Sequence, residues 1–169
     1  MTLEEAIVTS LDFENRVRDY YLRAAEKTDD PRGKDVFKAL ADEEQGHVDY
    51  LQSRLDQWRT TGKISVPMLA TTLPQAAWLK EGKLKMNAVA FDRDYSNEVA
   101  LLRDSAKLED EISELYKKLV KELPSDQAAM FRRFLEIEDG HTAIVEAEID
   151  ALQKDGFWFS LREFDLEAG

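Results

Sequence analysis

Four long stretches of this chain repeat apolar residues every three or four positions, and each carries a glutamate in the middle of its apolar stripe. Such spacing is typical of amphipathic helices that bury one face. The predicted helices cover residues about 3–28, 31–59, 95–123 and 125–154. Only 7 Gly and 4 Pro interrupt the 169 residues, so the pattern predicts an all-α fold.

Helix boundaries are marked by capping residues. Thr2 and Glu5 have the spacing of a capping box, Asp30 can cap the second helix with Pro31 at its first position, and Ser125 can cap the fourth. Only a few residues join the first helix to the second and the third to the fourth. Joints this short predict two antiparallel helical hairpins.

The hairpins are separated by a long segment, residues 60–94, with a short helix predicted near residues 73–82. Each long helix spans about 40 Å, and an extended segment of this length can run from one end to the other. We therefore predict one domain, residues 1–169, folded as an antiparallel four-helix bundle with a long crossover. The aromatic tail, residues 156–169, is expected either to fold back over the bundle or to dock on a partner.

The two halves of the chain repeat one another. Tyr21 follows Glu14, and Tyr116 follows Glu109, seven positions later in each case. In the helix that follows, a glutamate precedes a histidine by three positions. These pairs are Glu44 with His47 and Glu138 with His141, and they contain the only two histidines of the chain.

Residues three apart in a helix present their side chains to one point. Each glutamate–histidine pair sits within an apolar stripe, as do Glu14 and Glu109. Closing the bundle would therefore bring four carboxylates together in the core, where unpaired charges cost several kcal/mol each. Among the basic residues only Arg18 lies close to these stripes, so two divalent cations are the expected counter-charge.

Composition excludes several other classes of protein. A net charge of −12 argues against nucleic-acid or anionic-membrane partners. The absence of cysteine excludes disulfides, thiolate ligands and iron–sulfur clusters. No apolar run approaches the roughly 18–20 residues that span a bilayer, and the acidic N-terminus lacks the basic start of a secretory signal. We expect a cytoplasmic protein, and carboxylate-rich ligation favours iron, with manganese as the alternative.

With these residues, the chain resembles rubrerythrin-type members of the ferritin-like di-iron superfamily over about residues 3–154. The resemblance implies a non-haem di-iron oxidoreductase that reduces peroxide or dioxygen with electrons from an external donor protein. It also implies a homodimer. The residues expected to hold two iron ions and to carry catalysis are Glu14, Glu44, His47, Glu109, Glu138 and His141.

Two departures from that family keep alternatives open. The chain has no Cys-rich rubredoxin module, and Ile112 stands where rubrerythrins carry a second glutamate on the third helix. The remaining six ligands resemble a bacterioferritin-type site, so the alternative is an iron-binding ferroxidase for storage or detoxification. A structural or interaction module with a relict site is the third hypothesis.

Residues beside the ligands have less specific interpretations. Tyr21 and Tyr116 are expected to be core aromatics, whose phenols can donate hydrogen bonds to ligand carboxylates. Gly46 and Gly140 each precede a histidine, and close approach of neighbouring helices is favoured over room for a small molecule or a wide π-type turn at the metal. The remaining acidic neighbours are expected in solvent, namely Glu43, Asp110 and Glu111.

Overall fold

The computed structural model describes residues 1–74 and 93–158, and within these ranges it contains four α-helices and no strand. The helices are α1 (Leu3–Lys27), α2 (Pro31–Thr61), α3 (Ser96–Glu122) and α4 (Ser125–Lys154). Helix α1 packs along α2 and α3 packs along α4, while α1 also contacts α3. The prediction of an all-α bundle of two hairpins is confirmed.

The segment between the hairpins begins after α2 and has no helical structure as far as residue 74. Most of the short helix predicted at residues 73–82 lies outside the described residues. Residues 69–74 lie against the bundle, because Arg133 of α4 donates a hydrogen bond from Nε to the carbonyl of Leu69 at 3.0 Å. This stretch therefore covers part of the space between α2 and α4.

The sequence predicts capping residues for three of the four helices, and one of these predictions is wrong. Thr2 and Glu5 form the capping box, and Asp30 accepts from the N–H of Arg32. Ser125, however, is already the first residue of α4 and caps nothing. Pro124 occupies the cap position instead, with φ −53° and an extended ψ of 148°. The chain therefore enters the helix one residue earlier than predicted.

The predicted stripes form the core. Phe37, Phe131 and Phe134 are fully buried, and Ile112 and Leu119 of α3 are equally inaccessible. Four members of the predicted stripes lie at its margin and are only half-buried: Leu11, Val48, Trp58 and Ala106. The helical phase was therefore correct, and the errors fall on the edges of each buried face.

The first residues of the tail fold back on the bundle. Phe157 and Trp158 are buried, and the Trp158 ring meets Phe37 edge to face with 6.0 Å between centroids. Gly156 takes φ 69°, a conformation that favours glycine, and it directs the chain out of α4. Residues 159–169 of the predicted tail lie outside the described part of the chain.

No helix in the described ranges is both long enough and apolar enough to cross a bilayer.

Replacing Gly33 by alanine should destabilise the protein. A Cβ at this position would lie 2.7 Å from Thr28 Cγ2 and 2.7 Å from Trp158 Cζ2, so Trp158 or the α1–α2 turn must move. We expect a loss of roughly 1–3 kcal/mol in the free energy of unfolding, measured by urea denaturation.

Gly46→Ala is the matched control, because this helical glycine has nothing within 4 Å of an added Cβ. It should gain about 1 kcal/mol from helix propensity. Equal effects of the two substitutions would show that Trp158 does not pack on Gly33.

Candidate metal centre

The structure brings together all six residues predicted as ligands. Each comes from the middle of its helix, where the side chain points into the bundle. All are at most 1% exposed: Glu14, Glu44, His47, Glu109, Glu138 and His141. The site is therefore made by four helices and by both hairpins.

Three carboxylate oxygens surround Nδ1 of His47. Glu14 Oε2 lies at 3.1 Å, Glu44 Oε2 at 3.1 Å and Glu138 Oε1 at 3.0 Å. One ligand atom from each of these four residues lies within 4.8 Å of every other. This group, which we call the His47 position, could hold a metal ion.

A second group surrounds Nδ1 of His141. Glu44 Oε1 lies at 2.8 Å, Glu138 Oε2 at 3.2 Å and Glu109 Oε2 at 4.0 Å. Its ligand atoms also lie within 4.8 Å of one another. We call this group the His141 position, and it too could hold a metal ion.

Glu44 and Glu138 belong to both positions. Each turns one carboxylate oxygen towards His47 and the other towards His141. The two imidazole rings are nearly parallel, with 5.4 Å between centroids and 3° between planes. The arrangement has approximate two-fold symmetry, with Glu14 and Glu109 each confined to one position.

The two tyrosines hold the confined glutamates from the opposite helix. Tyr21 of α1 donates a hydrogen bond to Glu109 Oε1 of α3, and Tyr116 of α3 donates one to Glu14 Oε1 of α1. Both phenols are fully buried. Each tyrosine therefore fixes a carboxylate of the other helix, and the two hydrogen bonds link α1 to α3.

Glu43 corrects a prediction, because it is not in solvent. Its side chain is 8% exposed, and Oε2 lies 3.8 Å from Nε2 of His141. Thr71 and Thr72 donate to its carboxylate, from the Thr71 hydroxyl at 2.7 Å and from the Thr72 N–H at 2.8 Å. The segment after α2 creates this environment, and no helical pattern foretells it.

The other charged residues predicted near the site do not contact its buried carboxylates. Asp110 and Glu111 are exposed, as predicted. Arg18 bonds with Asp19 and Gln45 instead of the buried carboxylates. No lysine or arginine in the described ranges forms an ion pair with the six site residues.

The two glycines occupy different environments. Gly46 is exposed with nothing near it, so the prediction of close helix approach is wrong there. Gly140 is buried and lines a cleft that reaches His141 from between residues 71–74 and α4.

The pKa values of the six residues move in opposite directions. Burial raises the pKa of Glu14 and of Glu109 well above the usual value. Burial also acts to raise those of Glu44 and Glu138, but His47 and His141 outweigh it and lower both. Protons thus favour the two confined carboxylates, while the shared pair stays ionised.

The histidines respond to the same charges. Burial alone would lower the pKa of each imidazole, but the surrounding carboxylates raise both well above the usual value. Without a metal, these shifts favour protonated imidazoles and protonated carboxyls on Glu14 and Glu109, facing an ionised Glu44 and Glu138.

Many polar atoms of the site lack a hydrogen-bond partner. They include both oxygens of Glu44, both of Glu138 and both nitrogens of His141. The short nitrogen–oxygen distances around His141 are thus close approaches without hydrogen-bond geometry. Buried polar atoms are nearly always satisfied, and a carboxylate and imidazole set of this kind suits a divalent cation.

Comparison of the chain with protein-family models, with curated proteins and with solved structures finds no match.

Metal-free protein should lose stability as the pH rises above about 4.5, and more steeply above about 6.5. In the unfolded chain the site glutamates and histidines return to about 4.5 and 6.5. The four groups with raised pKa values then keep protons in the folded state that the unfolded chain gives up. Each retained proton lowers the unfolding free energy by about 1.4 kcal/mol per pH unit.

Urea denaturation with a chelator present, at several pH values, measures this slope. The ionised Glu44 and Glu138 act in the opposite direction only below about pH 4.5, where they become protonated on unfolding. Stability that stays level or increases above pH 6.5 would contradict the assignment of protons.

Tyr116→Phe should destabilise the metal-free protein by roughly 1–3 kcal/mol, because it leaves Oε1 of the buried Glu14 carboxyl without its donor. Tyr50→Phe is the control, since this phenol donates to the carbonyl of Pro67 near the surface. Its loss should stay below about 1 kcal/mol. Similar losses in denaturation would show that the bond to Glu14 contributes nothing special.

Proposed function

We propose that this chain is a non-haem di-iron oxidoreductase of rubrerythrin type, which reduces peroxide or dioxygen. The observation that carries the proposal is the double orientation of Glu44 and Glu138. Each offers one oxygen to the His47 position and one to the His141 position. Carboxylates shared in this way suit two cations held side by side.

The choice of iron rests on ligand chemistry. Four carboxylates and two imidazoles form an oxygen-rich set without sulfur, which favours iron or manganese over zinc. When bound as Fe(II), the metals supply the electrons that reduce the oxidant. Manganese is the alternative occupant of the same ligands.

The chain's own residues position this chemistry and protect it. Glu14 and Glu109 would each hold one ion, and Tyr116 and Tyr21 orient them through hydrogen bonds. Phe134 packs against His47 with 5.3 Å between ring centroids. Ile112, fully buried on α3, adds apolar cover, so bulk water is kept from the ligands.

The cleft beside Gly140 offers the oxidant a route to the His141 position. It lies between residues 71–74 and α4 and reaches His141. An external electron-donor protein and a homodimeric assembly complete the proposal.

A ferroxidase that binds iron for storage or detoxification is the second candidate. Ile112 favours it, because this apolar, fully buried residue stands where rubrerythrins carry a further carboxylate. In that case oxidised iron would leave the site for a mineral. In the oxidoreductase the same ions stay bound through repeated turnover.

Anaerobic titration of metal-free protein with Fe(II) should show a break near two ions per chain. Glu44→Ala and Glu138→Ala should each abolish tight binding at both positions, because both positions use these carboxylates. The loss of metal affinity should exceed the about 10–100-fold that follows removal of a residue that only hydrogen-bonds to a ligand. Bound iron, measured after desalting, provides the readout.

Glu111→Ala is the control, since Glu111 is exposed and pairs only with Arg16 in the described structure. It should retain the break near two. A wild-type break near zero would remove the basis of the proposal. Reaction of the loaded protein with peroxide or dioxygen, followed by iron retention, then separates the two candidate functions.

A further inference from the structure

The candidate metal centre is closed, so anything that binds there must pass a part of the protein that moves. Each of the six candidate ligands is at most 1% exposed. Helices α1 and α3 pack against one another, whereas α2 and α4 make less contact with each other. The α2–α4 side of the bundle is therefore the side on which a moving cover would open the site.

A non-helical segment lies along that side. Residues 63–73, which we call the strap, follow α2 and contain neither helix nor strand. On the α2 side, the Tyr50 hydroxyl donates a hydrogen bond to the carbonyl of Pro67 at 2.6 Å. On the α4 side, Arg133 donates from Nε to the carbonyl of Leu69 at 3.0 Å. The strap thus joins the two helices across the gap between them.

The remaining bonds of the strap are of the same kind. Arg54 of α2 donates from Nη1 to the carbonyl of Ser65 at 2.8 Å. Thr71 and Thr72 donate to the carboxylate of Glu43. In each bond the helix contributes a side chain, and among the described residues no backbone–backbone hydrogen bond joins the strap to a helix. The attachment therefore consists of separate bonds, each of modest strength.

The strap buries little apolar surface. Leu69 is its one buried residue, at 7% exposure, and Ile64 and Leu73 are half-buried. Val66 and Met68 point into solvent, and Met68 is 84% exposed. Segments with few buried apolar contacts open locally at a lower free energy than the whole fold. The strap can therefore leave the bundle while the four helices stay packed.

The strap also forms one wall of the cleft that reaches His141. Thr71 and Leu73 line this cleft on the strap side, and Gly140 lines it on α4. Arg133 lines it as well, and it is the residue of α4 that holds the strap. Outward movement of the strap breaks that bond and widens the cleft towards the histidine.

We propose that the strap is a movable cover of the metal site, and that divalent cations enter on the α2–α4 side when it opens. The inference deepens the proposed function and rests on it for the identity of what enters. Access to the two buried histidines does not depend on that function, and it is measurable without a metal. The contact between α1 and α3 is kept during opening, so the bundle stays folded.

Chemical modification of histidine tests the proposal, because the only two histidines of the chain are His47 and His141. Diethyl pyrocarbonate acylates a neutral imidazole nitrogen, and the ultraviolet absorption of the product follows the reaction. Both rings are 1% exposed, so metal-free protein reacts from a state in which the site is open. When reclosing is faster than modification, the rate is proportional to the population of that state.

Tyr50→Phe removes one hydroxyl that holds the strap. The ring remains, and so does its contact with Phe134, with 5.7 Å between centroids. At a fixed pH the variant should raise the rate of histidine modification about two- to tenfold, because one neutral hydrogen bond contributes a factor of this size to an equilibrium.

Tyr20→Phe is the matched control. Its phenol also donates to a backbone carbonyl, that of Leu101 at 2.7 Å, but this bond joins α1 to α3. The modification rate should change less than about twofold, because the bonds of the strap stay intact. Equal rates in wild type and Tyr50→Phe would overturn the proposal. Equal acceleration in both variants would overturn it too, since the histidines would then react only after the whole bundle unfolds.

Metal uptake separates the inference from the proposed function. In stopped-flow mixing with Co(II), whose visible absorption follows its coordination, Tyr50→Phe should accelerate uptake by the same factor as modification. Faster modification with unchanged uptake would overturn the strap as the route of entry. If wild-type protein binds neither Co(II) nor Fe(II), the proposed function is overturned together with the entry of cations. The modification rates then still decide whether the strap covers the site.

Discussion

The structure depends on the charge balance among four glutamates and two histidines buried between four helices. Isolated charges at such depth would cost more than the whole fold can supply. In the metal-free site the pKa shifts act against this cost, because they favour protons on the confined carboxyls and on the imidazoles that face the shared carboxylates. Two divalent cations on four carboxylates would balance the charge by another route.

Helical periodicity was sufficient to predict the four long helices and the clustering of six polar residues in the core. A residue's phase within a helix fixes which side it faces, and Glu14 and Glu44 share the phase of large apolar neighbours. The glutamate–histidine pairs at equivalent points of two helices then indicated one shared site. Only the approximate positions of helix ends were needed for this, so the wrong cap at Ser125 did no harm.

What could not be predicted depends on segments that lie next to each other only after folding. The Glu43 side chain is only 8% exposed because Thr71 and Thr72 bond to it, and helical phase carries no information about that segment. Gly46 is exposed for the converse reason, since nothing crosses it. The two tyrosine–glutamate hydrogen bonds between α1 and α3 depend on the distance between these helices, whereas the sequence gives only the spacing within each helix.

The internal repeat extends further than the ligands. Ser10 and Ser105, each one turn before a confined glutamate, are both fully buried and bond to carbonyls of their own helices. Small side chains at these positions let α1 and α3 approach closely. The seam between α1 and α3 is therefore made of matched parts, and the differences between the halves lie on the α2–α4 side.

The unequal spacing of the helices has a mechanical consequence. The backbones of α1 and α3 come close, whereas α2 and α4 face each other mainly across the site, through His47, His141 and Phe134. The α1–α3 contact can then act as a hinge between the two hairpins. Cations bound between α2 and α4 would hold the hairpins together on the opposite side, and the metal-free protein should open along that side first.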